Sequence, residues 1–274
     1  MKKLLPKSRI INKPGHYIIT HDIEITNELF GVQIRSDSVT LDFQDHRLFT
    51  LNHQVLENFG VYVANVKNVK ILSGKIEGFY YGLMGGEVSN IVVHNMHFDN
   101  IKYIAINISG SRACIHDNLI TNLDFHFKKN TTDYYLIGIN ISASHSQICK
   151  NIIKHLSIPN IDINSHLEYV GILIANSTKG NLITCNQLIN NATNRIKIYG
   201  VWCGLNAEVS IANNYFTNNM YDVAALQATV NVTNNKTYNS TEFSNTTEFN
   251  NIADFQQTLK LLDKDMHELR NTIF

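Results

Sequence analysis

The sequence predicts an all-β fold, a single-stranded, right-handed parallel β-helix of about eight coils that ends in a C-terminal α-helix. Three observations support this prediction. An asparagine-containing phrase recurs along the chain, a glycine-led phrase alternates with it, and the steps between copies fit a unit of 22 residues. The chain has 274 residues, of which 44% are hydrophobic, and a formal net charge of zero. This composition is typical of a soluble globular protein with a sizeable core.

The first phrase has apolar residues at its first and sixth positions and asparagine at its fourth. Clear copies occupy residues 115–120, 148–153, 183–188 and 211–216, and looser copies occupy residues 43–48, 71–76 and 93–98. Successive copies start 28, 22, 22, 33, 35 and 28 residues apart. A basic unit of 22 residues with inserts explains these steps, and such a period is that of one coil of a parallel β-helix.

The second phrase reads glycine, apolar, any residue, apolar. It occupies residues 31–34, 60–63, 82–85, 138–141, 171–174 and 200–203, and residues 105–108 repeat it with alanine in place of glycine. Each copy predicts a short strand with its apolar side chains on one face. Because the two phrases alternate strictly, each coil should contain two or three strands, stacked on the next coil at roughly 4.8 Å.

The asparagines of the first phrase should stack on one another. They are Asn118, Asn151, Asn186 and Asn214. An asparagine at a tight turn tolerates unusual backbone angles and can bond neighbouring backbone groups. Stacked side-chain amides can also bond one another along a solenoid. We therefore predict an asparagine turn that repeats from coil to coil.

These repeats resemble the right-handed parallel β-helix superfamily of pectate-lyase-like and carbohydrate-binding proteins. The stretches 14–19 and 39–43 look like its entry coils, and the resemblance covers about residues 14–240. The resemblance implies the fold, but the familiar active-site patterns are incomplete. The R-I-K phrase at 195–197 matches polygalacturonase-like enzymes, whose paired aspartate and G-H-G turn are missing. The acidic cluster of calcium-dependent pectate lyases and the D-P-H phrase of alginate epimerases are also missing.

Four inserts interrupt the repeat at the same topological position, between a first phrase and the following glycine-led phrase. They span residues 49–59, 121–137, 154–170 and 189–199. We expect them to leave the solenoid from one edge and to form a wall beside the outer face of the adjoining sheet. Loops on a rigid scaffold commonly carry function, so this wall is where a site is predicted.

Candidate catalytic residues lie in the third and fourth inserts. They are His166, Glu168, Tyr169, Arg195, Lys197 and Tyr199. The histidine or the glutamate could act as general base or acid. The arginine or the lysine could neutralise a carboxylate or an oxyanion, and either tyrosine could donate a proton to a leaving oxygen.

Candidate substrate-binding residues lie at the outward positions of the glycine-led strands and in the second insert. They are Tyr62, Met84, Asn107, Asn140, Leu173 and Trp202 on the strands, and Tyr134 and Tyr135 in the insert. Aromatic faces stack on sugar rings or other flat apolar groups, and amides bond hydroxyls. A groove of this kind suits an oligosaccharide or a compact, partly apolar molecule.

The leading functional hypothesis is a carbohydrate-directed enzyme (a lyase, hydrolase or epimerase) acting in a groove lined by loops 121–137, 154–170 and 189–199. Two alternatives stay open. One is an intracellular isomerase or cyclase that shapes a partly apolar metabolite, and the other is a non-catalytic glycan-binding or assembly module of a viral or surface structure. We predict no cofactor and no metal, because the four cysteines form no C-x-x-C pair. The neutral net charge argues against a nucleic-acid surface.

The coils are predicted over residues 1–240, followed by a polar linker at 241–251 and an amphipathic helix at 252–274. The apolar seam of this helix consists of Ile252, Phe255, Leu259, Leu262, Met266, Leu269 and Ile273. A lone helix of this length is marginal in water, so it should dock on its own solenoid or pair with its copy in a homo-oligomer. No signal peptide or membrane-spanning run is visible. We therefore expect a cytoplasmic protein, or a secreted or virion-associated one if a leader has been removed.

Overall fold

The computed structural model describes residues 2–51, 57–123, 133–155, 166–190, 197–240 and 243–244. Within these ranges every regular element is a β-strand and every strand pairing is parallel. In this part of the chain there is therefore no helix that could cross a bilayer. The apolar seam predicted for residues 252–274 lies outside the described residues.

The strands follow one another closely along the chain. They are β1 (Lys2–Leu4), β2 (Ile10–Ile11), β3 (Gly15–Ile18), β4 (Ile23–Glu24), β5 (Phe30–Ile34), β6 (Val39–Asp42), β7 (Arg47–Phe49), β8 (Phe59–Ala64), β9 (Lys67–Glu77), β10 (Tyr81–Asp99), β11 (Ile104–His116), β12 (Leu119–Thr121), β13 (Asp133–Ser144), β14 (Gln147–Cys149), β15 (Ile152–His155), β16 (His166–Ile174), β17 (Asn181–Thr184), β18 (Gln187–Asn190), β19 (Lys197–Cys203), β20 (Glu208–Ala212), β21 (Tyr215–Thr217), β22 (Tyr221–Ala225), β23 (Thr229–Thr233), β24 (Lys236–Tyr238) and β25 (Phe243–Ser244).

The pairings arrange these strands in three parallel sheets that run the length of the solenoid. The first sheet contains β2, β5, β8, the starts of β10 and β11, β13, β16, β19, β22 and β25. The second contains β1, β3, β6, the start of β9, the middle of β10, the end of β11, β14, β17, β20 and β23. The third contains β4, β7, the ends of β9 and β10, β12, β15, β18, β21 and β24. One coil contributes one strand to each sheet, which is the parallel β-helix that the sequence predicts.

The copies of the first phrase align in register, as the period requires. The second-sheet column that carries their first positions runs Ile71, Val93, Ile115, Ile148, Ile183 and Ile211. The earliest copy differs, because Leu41 and not Phe43 pairs with Ile71. Its sixth position is correct, since Leu48 pairs with Ile76. This coil therefore holds two more residues between its strands than the phrase predicts.

The interior of the coil is filled by aliphatic ladders. The inward column of the first sheet is Val32, Val61, Leu83, Ile106, Ile139, Ile172, Val201 and Val223, all buried. Full burial of such a side chain is worth about 1.5–3 kcal/mol. The glycine-led phrase follows from the same close packing. A Cβ added at Gly60 would lie 2.6 Å from the carbonyl oxygen of Gly82 and 2.5 Å from Cγ2 of Ile76.

A buried ladder of asparagines joins the second sheet to the third. The amide nitrogens of Asn118, Asn151, Asn186 and Asn214 donate to the amide oxygen one coil further on, at 2.9, 3.0, 3.0 and 3.0 Å. The last acceptor is Asn235. Asn235 belongs to a further copy of the phrase, residues 232–237, which is hard to recognise because its sixth position is the polar Thr237. The predicted stacking of the amides is confirmed.

The unusual backbone angles predicted for these asparagines are not found on them, whereas the predicted bonding of backbone groups is confirmed. The positive φ angles fall on the residue before each one: 55° at Asp117, 56° at Lys150 and 57° at Cys185. Asparagine is favoured here because its amide satisfies buried backbone groups. The amide nitrogen of Asn151, for example, also donates to the carbonyl oxygen of Ile115 at 2.9 Å.

The coil continues into the stretch predicted as a linker. Strand β25, Phe243–Ser244, pairs with Val223 and Ala224 of β22 in the first sheet. Chain pairing in the solenoid therefore extends beyond residue 240.

Candidate functional site

The outer face of the first sheet carries a second hydrophobic cluster, separate from the interior. One column runs Phe30, Phe59, Tyr81, Ile104, Ile137, Val170, Tyr199 and Tyr221, and the other runs Gln33, Tyr62, Met84, Asn107, Asn140, Leu173, Trp202 and Ala224. We call these two columns the outer stripe. Most of its members belong to one apolar cluster. Aromatic rings in it are in contact: the ring centroids of Phe59 and Tyr81, for example, are 4.9 Å apart. Neither column contains a charged residue.

Six of the predicted substrate-binding residues lie in the second column of the outer stripe, and they are buried. The most exposed of them is Tyr62, at 6%, and Trp202 is 1% exposed. Two of the amides bond each other, since Asn140 donates to Asn107 at 3.0 Å. Asn107 in turn donates to the sulfur of Met84 at 3.3 Å. These side chains pack as a second core and do not line an open groove.

A partly exposed ion pair lies at the edge where strands β16 and β19 of the first sheet begin. Tyr135, Glu168 and Lys197 are in register on three consecutive coils. The Lys197 ammonium nitrogen lies 3.3 Å from Oε1 of Glu168. The lysine side chain is 54% exposed and the glutamate side chain 13%. A carboxylate with this little exposure, paired with an ammonium, is held in a defined place and still reaches solvent.

Two tyrosines complete this edge. Tyr199 and Tyr221 stack with ring centroids 5.5 Å apart, and Tyr199 also packs against Trp202 at 5.4 Å. Burial raises the pKa of the Tyr199 hydroxyl far above its ordinary value, and the negative charge of Glu168 raises it further. The hydroxyl therefore stays protonated. We call Tyr135, Glu168, Lys197, Tyr199 and Tyr221 the Glu168 cluster.

Four of the predicted site residues are thus brought together in the Glu168 cluster, whereas Tyr169 is not. Its ring is buried in the interior, where it belongs to the main core cluster, and burial raises the pKa of its hydroxyl. The equivalent positions on the neighbouring coils are Leu136 and Ile198. Both are apolar, which is the signal in the sequence that could have placed Tyr169 inside.

The remaining predicted residues cannot be assigned to the cluster. The side chains of His166 and Tyr134 lie outside the described part of the structure, as does Arg195 altogether. The backbone places His166 opposite Asp133 and Tyr134 opposite Leu167 in the pairing of β13 with β16. Their roles stay predictions.

Sequence reasoning missed Tyr221 and a polar chain on the outer face of the third sheet. In that chain the Thr121 hydroxyl donates to Oδ1 of Asp99 at 2.8 Å, so it accepts from Nε2 of His97 at 2.7 Å. The ammonium of Lys75 lies 2.8 Å from Asp99 and 3.0 Å from Glu77. The signal in the sequence is a pair of triplets, K-I-E at 75–77 and H-F-D at 97–99, one coil apart.

The polar chain shifts the titration of its members. Burial alone would raise the pKa of the Asp99 carboxyl, but hydrogen bonds from Lys75 and Thr121 outweigh it, so the pKa is lowered. Burial lowers the pKa of His97, and it outweighs the opposing charge of Asp99. The arrangement therefore favours an ionised carboxylate beside a neutral imidazole.

Comparison with known proteins identifies the fold. No family model and no curated protein matches the sequence. Among solved structures, a mutant tailspike protein of E. coli bacteriophage HK620 in complex with a pentasaccharide superposes with a TM-score of 0.53 at 14% identity, over 82% of this chain and 51% of that chain. A double mutant of the same tailspike gives 0.51 at 12% identity, over 86% and 58%. The catalytic domain of a GH87 α-1,3-glucanase in complex with nigerose gives only 0.37 at 13% identity, over 85% and 63%.

These likenesses show the fold and nothing finer, because the identities are low. The chain is a right-handed parallel β-helix, as the resemblance of its repeats to that superfamily predicts. It spans about half the length of the tailspike chains that it resembles. Function has to be argued from the site itself.

Proposed function

We propose that this protein is carbohydrate-directed and binds an oligosaccharide at the Glu168 cluster. The observation that supports this proposal most strongly is the ion pair of Glu168 and Lys197, on the same strands as the outer stripe, where Tyr199 stacks on the partly exposed ring of Tyr221. The cluster lies at the edge of the outer stripe, so its tyrosine side chains pack against buried apolar residues. Solvent still reaches the carboxylate and the ammonium.

The pair suits a sugar hydroxyl because it offers both kinds of hydrogen-bonding group. The Glu168 carboxylate accepts only and the Lys197 ammonium donates only, and the two lie 3.3 Å apart. A hydroxyl that lies beside the pair can donate to the carboxylate and accept from the ammonium. Such bonds to charged groups are worth about 1.5–3 kcal/mol each.

Tyr221 supplies the apolar half of the recognition. It is stacked on Tyr199, which fixes the plane of its ring, and it stays partly exposed at the margin of the outer stripe. An aromatic ring with one fixed face suits the C–H face of a sugar. Because the ring of Tyr221 is already stacked on Tyr199, little of its side-chain freedom is lost on binding.

The tailspike likeness supports the proposal by analogy only. One of those structures holds a pentasaccharide, and it shares its fold with this chain. An extended solenoid offers the long surface that an oligosaccharide needs. One fold supports many functions, so the specific support comes from the chemistry of Glu168, Lys197 and Tyr221.

Turnover of the bound sugar is a second candidate, and it is favoured by the low exposure of Glu168. A carboxylate that is 13% exposed beside an ammonium is placed to abstract a proton. Glycosidic hydrolysis commonly needs two carboxylates, and Glu168 is the one carboxylate whose side chain the structure describes in this cluster.

The experiment is a saturation-transfer NMR screen of the full chain against neutral and acidic oligosaccharides, from trisaccharides to hexasaccharides. We expect at least one to bind, with its transfer signals lost in Tyr221→Ala. Glu208→Gln is the matched control, because Glu208 forms a similar ion pair with Lys179 at 3.1 Å but begins β20 on the second sheet, whereas the cluster is on the first sheet. Binding of no oligosaccharide, or equal loss in the control, overturns the proposal. Turnover is then tested on the bound sugar with Glu168→Gln.

A further inference from the structure

We propose that His94, His116 and Asp117 form a binding site for a divalent transition-metal ion of the zinc type, on the outer face of the second sheet. One ligand atom of each residue lies within 4.8 Å of the other two. The site is on a different sheet from the Glu168 cluster, and it does not depend on glycan binding. The sequence predicts no metal from its cysteine spacing, and the two histidines are a full coil apart in the chain, so their pairing becomes visible only in the folded structure.

Stacking of the coils creates the two-histidine face. His94 and His116 pair in register between β10 and β11. Their rings stack with centroids 4.3 Å apart and an angle of 25° between planes. Both Nδ1 atoms lie near the same oxygen, Oδ2 of Asp117, at 3.6 Å from His94 and 2.7 Å from His116. The three donor atoms therefore converge from one side.

Asp117 is held rigidly by its neighbours. Its backbone takes a positive φ of 55°, and its amide nitrogen donates to the carbonyl oxygen of Cys149 at 3.3 Å. The next residue, Asn118, is fixed in the buried asparagine ladder. A ligand on such a turn is preorganised, which is what a metal site requires of its support.

The nitrogen of His94 provides an independent observation. Its Nδ1 atom is buried, and it has no hydrogen-bond partner among the described residues. This atom lies 3.6 Å from Oδ2 of Asp117. A cation between the two would use the free lone pair of the imidazole.

The donor set selects the class of ion. Two imidazoles and one carboxylate suit zinc, cobalt, nickel or copper, whereas calcium and magnesium prefer oxygen ligands alone. Three protein ligands leave a fourth position open, as in catalytic zinc sites. Cys149 follows His116 in register, but its sulfur is not part of the converging group. Lys150 contributes a positive charge near Asp117, which opposes binding.

The test is calorimetric titration of the full chain with Zn²⁺, followed by the same titration of two conservative variants. His94→Phe keeps a ring in the stack and removes the nitrogen. Asp117→Asn keeps the side-chain size and tolerates the positive φ, and it removes the charge. We expect one ion to bind, and each variant to weaken binding by at least about tenfold, since loss of even an outer-shell partner costs about 10–100-fold in metal affinity.

Two control variants separate this site from other exposed side chains. His16→Asn removes another histidine that lies beside a carboxylate, 3.3 Å from Asp42. Cys149→Ser removes the neighbouring thiol. Both should bind Zn²⁺ as the unmodified chain does. The proposal is overturned if Zn²⁺ does not bind, if His94→Phe and Asp117→Asn bind it unchanged while circular dichroism shows them folded, or if Cys149→Ser loses it equally.

Discussion

The ammonium nitrogen of Lys197 lies 3.3 Å from Oε1 of Glu168, and the two residues are in register on consecutive coils. Because the lysine is 54% exposed, solvent screens the pair, and exposed pairs contribute only about 0–1 kcal/mol to stability. The pair is therefore better placed to serve recognition than to hold the coils together.

Glu168→Gln should separate these two roles. It keeps the shape and removes the charge, so the free energy of unfolding should change by at most about 1 kcal/mol. Glycan affinity should fall by about 10- to 100-fold, the equivalent of one lost hydrogen bond to a charged group. Urea unfolding and calorimetric titration measure the two quantities. A large loss of stability with intact binding would show that the pair is structural.

Asn151→Ala should destabilise the solenoid by roughly 2–4 kcal/mol. The amide of Asn151 donates to Asn186 and to the Ile115 carbonyl, and it accepts from the amide of Asn118 at 2.9 Å. Its removal leaves several buried groups without partners. The measurement is urea unfolding followed by circular dichroism.

The matched control for the ladder is Asn231→Ala. Asn231 lies on β23 at an exposed position, where a substitution should stay within about 0.5 kcal/mol. Equal effects of the two alanine variants would mean that the buried amide bonds do not stabilise the stack.

Trp202→Ala should lower the free energy of unfolding by about 3–5 kcal/mol, because Trp202 is 1% exposed and truncation of a buried aromatic leaves a cavity. Tyr238→Ala is the control, since that ring is 65% exposed. If Trp202→Ala instead left stability unchanged and removed glycan binding, the outer stripe would be an open binding groove and not a second core.

His97 should make the protein more stable at neutral than at mildly acidic pH. Burial keeps the pKa of His97 in the folded chain below its ordinary value of about 6.5. Between those two values the unfolded chain binds more protons, so stability rises with pH and reaches its full value above about pH 6.5. Unfolding in urea at about pH 5 and pH 7.5 measures this rise.

His97→Gln should reduce that rise, since glutamine cannot titrate and can still donate to Thr121. The control is His21→Gln, at an exposed position near the N-terminus. An unchanged difference between the two pH values in His97→Gln would contradict the assignment of the burial effect to this ring.

The repeat phrases predicted the architecture because they report on local geometry. The spacing of Ile115 and Ile148 defines a coil. Once the coils stack, the amide of Asn118 lies next to the amide of Asn151 and donates a hydrogen bond to it. The pattern could not predict which outward-facing side chains are buried in a second packed layer and which are exposed to solvent. Trp202 alternates outward as expected, but alternation does not distinguish solvent from a second packed layer.

The sites were harder to predict, because their members come from different coils. Glu168 and Lys197 were singled out separately, and only the register brings them together. His94 and His116 are 22 residues apart, so their stacking becomes visible when the copies are aligned in space. The inserts also interrupt the alternation of inward and outward residues, so the sequence does not show which face of the strand Tyr169 occupies. The sequence therefore predicts Tyr169 in the site, whereas its ring lies in the main core.

Calorimetric titration of the full chain with an oligosaccharide from the NMR screen, beside Glu168→Gln and Glu208→Gln, tests the central claim most directly. The proposed function predicts that Glu168→Gln loses about tenfold or more in affinity while Glu208→Gln binds as the unmodified chain does. Equal affinity in all three proteins would contradict it.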